Sequence, residues 1–156
     1  LTYSNGVQAV EVEVDIGTGA VSFRNYVVVS DCGTLINPMI VDGQIAGGVV
    51  HGIGNALYEW MGYDEKGQPL TTNFGEYLMP TATELPHIDM IYENTPTPLN
   101  PLGVKGVGET GTVPAAAAIV SAVENALEPF GARLTDYPVK PATLVDIVRQ
   151  SMAASA

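Results

Sequence analysis

The densest chemistry in this sequence is one eight-residue run, Lys105-Gly106-Val107-Gly108-Glu109-Thr110-Gly111-Thr112. Three glycines flank a single carboxylate just ahead of an apolar stretch that reads as a helix. Backbone N–H groups at such a place bind anions, and glycines let a ligand approach the chain closely. Glu109 is then either a partner of the helix dipole or a functional acid, and the residue types alone leave both open. The spacing Gly106-x-Gly108-x-x-Gly111 also matches the dinucleotide fingerprint GxGxxG, which keeps a nicotinamide-dinucleotide-binding module among the alternatives. Its context opposes that reading. The preceding residues, Asn100-Pro101-Leu102-Gly103-Val104-Lys105, are not a buried apolar strand, and no second strand with an acidic end follows at the required distance. Lys105 precedes the glycines, so the run is not a phosphate-binding P-loop either.

Other reactive residues are sparse. His51 and His87 stand 36 positions apart without an HExxH pattern or a cysteine pair, so no protein-ligated zinc site is expected. The lone Cys32 reads as a small buried hydrophobe rather than a nucleophile, and no GxSxG elbow occurs.

Positioning the glycine run requires scaffold, and hydrophobic periodicity supplies it. Val10, Val12, Val14 and Ile16 alternate with Glu11, Glu13 and Asp15, the period of a half-buried strand. Gly17-Thr18-Gly19 turns the chain into a partner strand over Val21 to Val29. Asn37-Pro38 provides a cap and a first helical residue. The helix it opens runs to about Trp60, with Ile45, Val49, Ile53, Leu57 and Met61 on one stripe and Gln44, Gly48, His51, Asn55 and Glu59 on a more polar face. Gly43, Gly47, Gly48, Gly52 and Gly54 also sit in it, each costing up to about 1 kcal/mol relative to Ala. Something must therefore approach this backbone closely, either another helix or a ligand. Residues 62 to 73 read as a polar hairpin loop and Ile88 to Glu93 as a strand. Pro96, Pro98 and Pro101 exclude a helix before the glycine run. A second helix is expected over Val113 to Leu127, with Thr112 as its cap, and a third over about Thr143 to Met152. The expected fold is one α+β unit, a mixed β-sheet with packed helices.

Composition narrows the function classes. The 156 residues carry 6 Lys+Arg against 17 Asp+Glu, a net charge of −11, and 46% are hydrophobic. Disorder is excluded, and six cations neutralise too few phosphates for a nucleic-acid surface. The apolar run Val113 to Val123 is too short to span a membrane. A single cysteine makes a cytoplasmic compartment the default. The sequence opens Leu1-Thr2-Tyr3-Ser4, without a basic-then-apolar leader pattern and without Met, so a fragment or processed product is expected.

Several motifs then occur in a telling order: Asp31-Cys32-Gly33, Asn37-Pro38, Asp42-Gly43-Gln44-Ile45-x-Gly47-Gly48, Gly52-Ile53-Gly54, and Pro101-Leu102-Gly103-Val104-Lys105-Gly106-Val107-Gly108-Glu109. Together they resemble the C-terminal part of the molybdopterin-binding large subunit of the xanthine oxidase family, above all the carbon-monoxide-dehydrogenase and aldehyde-oxidase types. The likeness runs from about Val10 to Val148, and Arg133 to Pro138 is similar to the family's tail.

The resemblance implies that Glu109 is the active-site general base beside molybdenum. It implies that Gln44 hydrogen-bonds the pterin, and that Gly108 and Gly106 bring backbone close to the cofactor. It implies oxidation of an aldehyde, an N-heterocycle or carbon monoxide, by attack of a metal-bound hydroxyl and hydride transfer to a sulfido ligand. The cofactor would be molybdopterin in its cytosine dinucleotide form. Iron–sulfur and FAD groups would lie only in partner domains or chains, and the rest of the large subunit would complete the site. On that basis this polypeptide alone is expected to be inert. A domain that has lost chemistry and serves assembly remains the other alternative.

Overall fold

A computed structural model of the chain describes residues 1–154. Strand β1 (Asn5–Val14) pairs antiparallel with β2 (Val21–Asp31), and β3 (Asp89–Glu93) lies parallel to β2 on its other side. The sheet is thus mixed, in the order β1-β2-β3. Three helices follow the pattern of the sequence: α1 (Pro38–Leu57), α2 (Ala115–Ala126) and α3 (Pro141–Ala154), with a 3-10 turn at Glu128–Phe130. No helix among the described residues is long and apolar enough to cross a membrane.

The core forms where alternation meets helical period. Tyr26, Val28, Ser30 and Cys32 point inward from β2 and its end, against Ile45, Val49 and Ile53 of α1 and Ile119 and Val123 of α2. Leu144 and Val148 of α3 close the far side. At roughly 25 cal/mol per Å² of apolar surface removed from water, each such aliphatic side chain contributes on the order of 2 kcal/mol.

Element boundaries differ from the sequence expectations for local reasons. β1 begins at Asn5 instead of Val10, because Gly6 to Ala9 pair with Val27 to Ser30 despite the weak strand propensity of Gly6 and Ala9. It stops at Val14 because Asp15 folds the turn, its Oδ1 accepting from the N–H of Gly17 (2.8 Å) and Thr18 (3.0 Å). Asn37 caps α1 as expected, Oδ1 accepting from Ile40 N–H at 3.3 Å. That helix ends at Leu57 because Tyr58 and Glu59 both donate to the Gly54 carbonyl (2.9 and 2.7 Å). Met61 therefore leaves the apolar stripe and is exposed. α2 starts at Ala115 behind Pro114, not at Val113, and Thr112 makes no side-chain cap.

The helix glycines answer the question the sequence raised. Gly48, expected on the polar face of α1, is buried: a Cβ there would stand 2.9 Å from the Thr112 nitrogen and 3.0 Å from Gly111. A Cβ at Gly52 would overlap that of Ala115. One edge of α1 is therefore pared down so that residues 111 to 115 can lie against its backbone. Gly43 and Gly47, by contrast, have nothing within 4 Å of a would-be Cβ. We expect Gly52→Ala to destabilise the chain by about 1–3 kcal/mol through overpacking. Gly43→Ala, free of any neighbour, should stabilise it by up to about 1 kcal/mol, and urea unfolding of both variants measures the contrast.

Candidate functional site

The run that carries Glu109 is anchored before it departs from the core. Lys105 donates its backbone N–H to the Cys32 carbonyl (2.8 Å) and its Nζ to Asp31 Oδ2 (2.9 Å). Both side chains of this ion pair are nearly enclosed, 10% and 13% exposed. The other oxygen of Asp31 accepts from the N–H groups of Gly33 (3.0 Å) and Thr95 (3.1 Å). The Gly33 amide, then the Lys105 ammonium, then the Thr95 amide hold the Asp31 carboxyl well below the usual carboxylate range.

Beside this anchor, Gly33 and Gly103 both take positive φ (68°), and the backbones touch: a Cβ on Gly33 would collide with the Gly103 carbonyl. That carbonyl accepts from Thr34 (3.3 Å) and Thr97 (3.1 Å). Asn100 pairs reciprocally with Val104, its Nδ2 donating to the Val104 carbonyl and its Oδ1 accepting the Val104 N–H. The proline-rich approach is thus held by backbone geometry rather than by burial of large side chains.

Past the anchor, the segment leading into β1 runs along the loop. The Gly106 N–H donates to the Thr2 carbonyl (3.1 Å), and the hydroxyls of Ser4 and Thr110 lie 2.6 Å apart. The Gln8 amide donates to the Gly111 carbonyl (2.8 Å). Glu109 itself closes the following turn with its carbonyl, which accepts from Thr112 (3.0 Å) and Val113 (3.1 Å).

The Glu109 side chain is exposed, and among the described residues none donates a hydrogen bond to its carboxylate. It lines a cleft of about 430 Å³ together with Gly106, Gly108, Tyr3, Ser4 and Val113. A carboxylate presented in this way can accept a proton from a bound molecule.

The sequence-derived candidates divide in space. Glu109, Gly108 and Gly106 share the cleft. Gln44 lies outside its lining, exposed on α1, one residue from Ile45, whose carbonyl contacts Gly111. The Cys32 thiol is buried and pushed up by that burial, in keeping with a structural role. No three His, Cys, Asp or Glu side chains converge among the described residues. Sequence reasoning missed the Asp31–Lys105 pair and the parts played by Gln8 and Tyr26. The only local signal for any of them was an acidic residue before Cys32-Gly33 and a basic one before the glycines.

Because Asp31 titrates lower when folded than unfolded, its stabilisation is complete above about pH 4 and is lost as pH falls toward the folded value. Lys105→Met should cost about 3 kcal/mol at neutral pH by leaving Asp31 unpaired. Asp31→Asn should flatten the acid limb of stability against pH, which denaturant unfolding at stepped pH values checks.

A family model described as "Molybdopterin cofactor-binding domain" matches residues 1–86, a span that contains Gln44 and stops before Glu109. The nicotine 6-hydroxylase large subunit of Paenarthrobacter nicotinovorans is 45% identical over 143 residues, 92% of this chain and 18% of that protein. The carbon monoxide dehydrogenase large chain of Hydrogenophaga pseudoflava is 37% identical over 88% of this chain and 17% of its own length. The crystal structure of quinoline 2-oxidoreductase from Pseudomonas putida 86 superposes with a TM-score of 0.91 at 41% identity, covering 94% of this chain and 19% of that one. The chain spans just under a fifth of the length of the relatives it matches.

Proposed function

This chain belongs to the molybdopterin cofactor-binding domain family, and from that membership we propose that it forms one wall of a molybdenum hydroxylase active site with Glu109 as general base. The observation that carries the reading is a single carboxylate, without a hydrogen-bond donor among the described residues, on a loop tied down on both sides and open to a cleft.

The residues present fit such a cofactor. Gly43, Gly47 and Gly108 offer bare backbone with open space where a side chain would stand. Gln44 presents an exposed amide on the same helix as the first two. Backbone N–H groups and amides are the donors on offer in so acidic a chain, since Lys105 is already engaged by Asp31. In this proposal Gln44 hydrogen-bonds the pterin, while Gly106 and Gly108 let the loop backbone lie close to the cofactor.

When bound, the molybdenum cofactor supplies the two-electron oxidation of a substrate carbon. Glu109 accepts the proton released as oxygen from water is added to that carbon, a role for which a positioned carboxylate contributes about 10²–10⁴-fold. The names of the relatives point to nicotine, quinoline and carbon monoxide. We place this chain's substrate among N-heterocycles, aldehydes and carbon monoxide. The cytosine dinucleotide form of the cofactor, the remainder of a large subunit, and separate iron–sulfur and flavin partners complete the proposal. A lone buried cysteine cannot hold a cluster here.

Glu109→Gln in the cofactor-loaded enzyme should lower turnover by about 10²–10⁴-fold while molybdenum and pterin contents stay at the parent level. Unchanged turnover would remove the base from this residue. Gln44→Ala should instead lower pterin content, read by cofactor release and fluorescence.

A further inference from the structure

We propose that Gln8, oriented by the buried Tyr26 hydroxyl, is a positioning residue that fixes the Glu109 loop from the side opposite α1. The inference rests on the reading of Glu109 as a base and concerns a residue 101 positions earlier in the chain.

Hydrogen-bond direction settles how the amide is used. A backbone carbonyl only accepts, so the Gln8 nitrogen must be the group that meets the Gly111 carbonyl at 2.8 Å. Gln8 Oε1 then faces Tyr26, whose hydroxyl donates to it at 2.6 Å. Tyr26 is fully buried on β2, where its ring packs against Phe23, and burial pushes its phenol up, so the hydroxyl keeps its proton. The resulting chain, Tyr26 to Gln8 to Gly111, admits one amide orientation.

Gly111 is pinned from behind as well. A Cβ on it would run into the Ile45 carbonyl and stand 3.1 Å from the Val49 nitrogen, so α1 leaves it no room to retreat. Held between the Gln8 amide and the α1 backbone, Gly111 fixes one end of the segment Gly106–Gly111, and Lys105 fixes the other. Glu109 sits between the two with its carbonyl bonded forward to Thr112 and Val113. Its side chain therefore has a fixed origin. Gln8 belongs to the long β1–β2 hairpin, a rigid element, which is where a positioning group is most effective.

Displacement of a reacting group by about 1 Å costs roughly 100-fold in rate. We expect Gln8→Leu, in the cofactor-loaded enzyme containing this chain, to lower kcat by roughly 10- to 100-fold, with KM within about 3-fold and molybdenum content unchanged. Gln8→Glu, which keeps the bond from Tyr26 but sets a carboxylate against the Gly111 carbonyl, should lose as much. Tyr26→Phe, which leaves the Gln8–Gly111 bond in place, should lose less than either.

Backbone amide hydrogen exchange across 106–112, measured without substrate, should accelerate about 10-fold in Gln8→Leu while β2 and the middle of α1 exchange at parent rates. Parent exchange across 106–112 in Gln8→Leu, or accelerated exchange with parent kcat, overturns the proposal. A loss of kcat that tracks lost molybdenum also overturns it. If Gln8→Leu does not fold, Gln8→Glu carries the same two readouts. Parent turnover in Glu109→Gln would instead remove the base reading, and that result is distinct from any of these.

Discussion

The fold and the loop meet at one ion pair. Asp31 ends the central strand, Lys105 begins the glycine run, and their charges lie 2.9 Å apart with little access to water. An enclosed ammonium and carboxylate gain little over an apolar pair of equal volume, but each becomes costly if its partner is displaced. That asymmetry fixes location more than it adds stability: Lys105 has one place where its charge is satisfied. Because the Gly33 and Thr95 amides saturate the other Asp31 oxygen, three stretches of chain converge on one carboxylate.

The same pair shapes the electrostatics of the cleft. Lys105 stands four residues before Glu109 in sequence, but its ammonium is directed to Asp31. Engaged by Asp31, it leaves the Glu109 carboxylate facing solvent without a cation among its described hydrogen-bond or ion-pair partners. In a chain of net charge −11, that leaves an exposed carboxylate beside the bare backbone of Gly108.

Close packing of small residues supplies the second support. α1 gives up helix propensity at Gly48 and Gly52, and the turn leading into α2 fills the space. The exposed Gly43 and Gly47 make the same sacrifice with no neighbour to show for it. Glycines that look alike in sequence thus divide: Gly48 and Gly52 are required by this chain's own packing, Gly43 and Gly47 face outward, and the buried Gly54 meets the Glu59 side chain.

What the sequence determined by itself was whatever depends on near neighbours. Period-two alternation placed the β1–β2 hairpin, period-3.6 spacing placed the Ile45-Val49-Ile53 stripe, and Asn37-Pro38 set the start of α1. The glycine run marked Glu109 for the same reason, since an isolated carboxylate among glycines is a local pattern. Tertiary structure decided the rest. Asn5-Gly6 reads as a turn, yet both residues pair with β2. Thr112 reads as a cap, but α2 begins only at Ala115 and the Thr112 backbone lies against α1 at Gly48. Lys105 reads as a free cation until Asp31, 74 residues earlier, engages it. Gln8 and Tyr26 carry no signal until the hairpin sets them against Gly111. Each of these depends on contacts between residues distant in the chain, and local periodicity holds no information about which distant backbone will fill a given space.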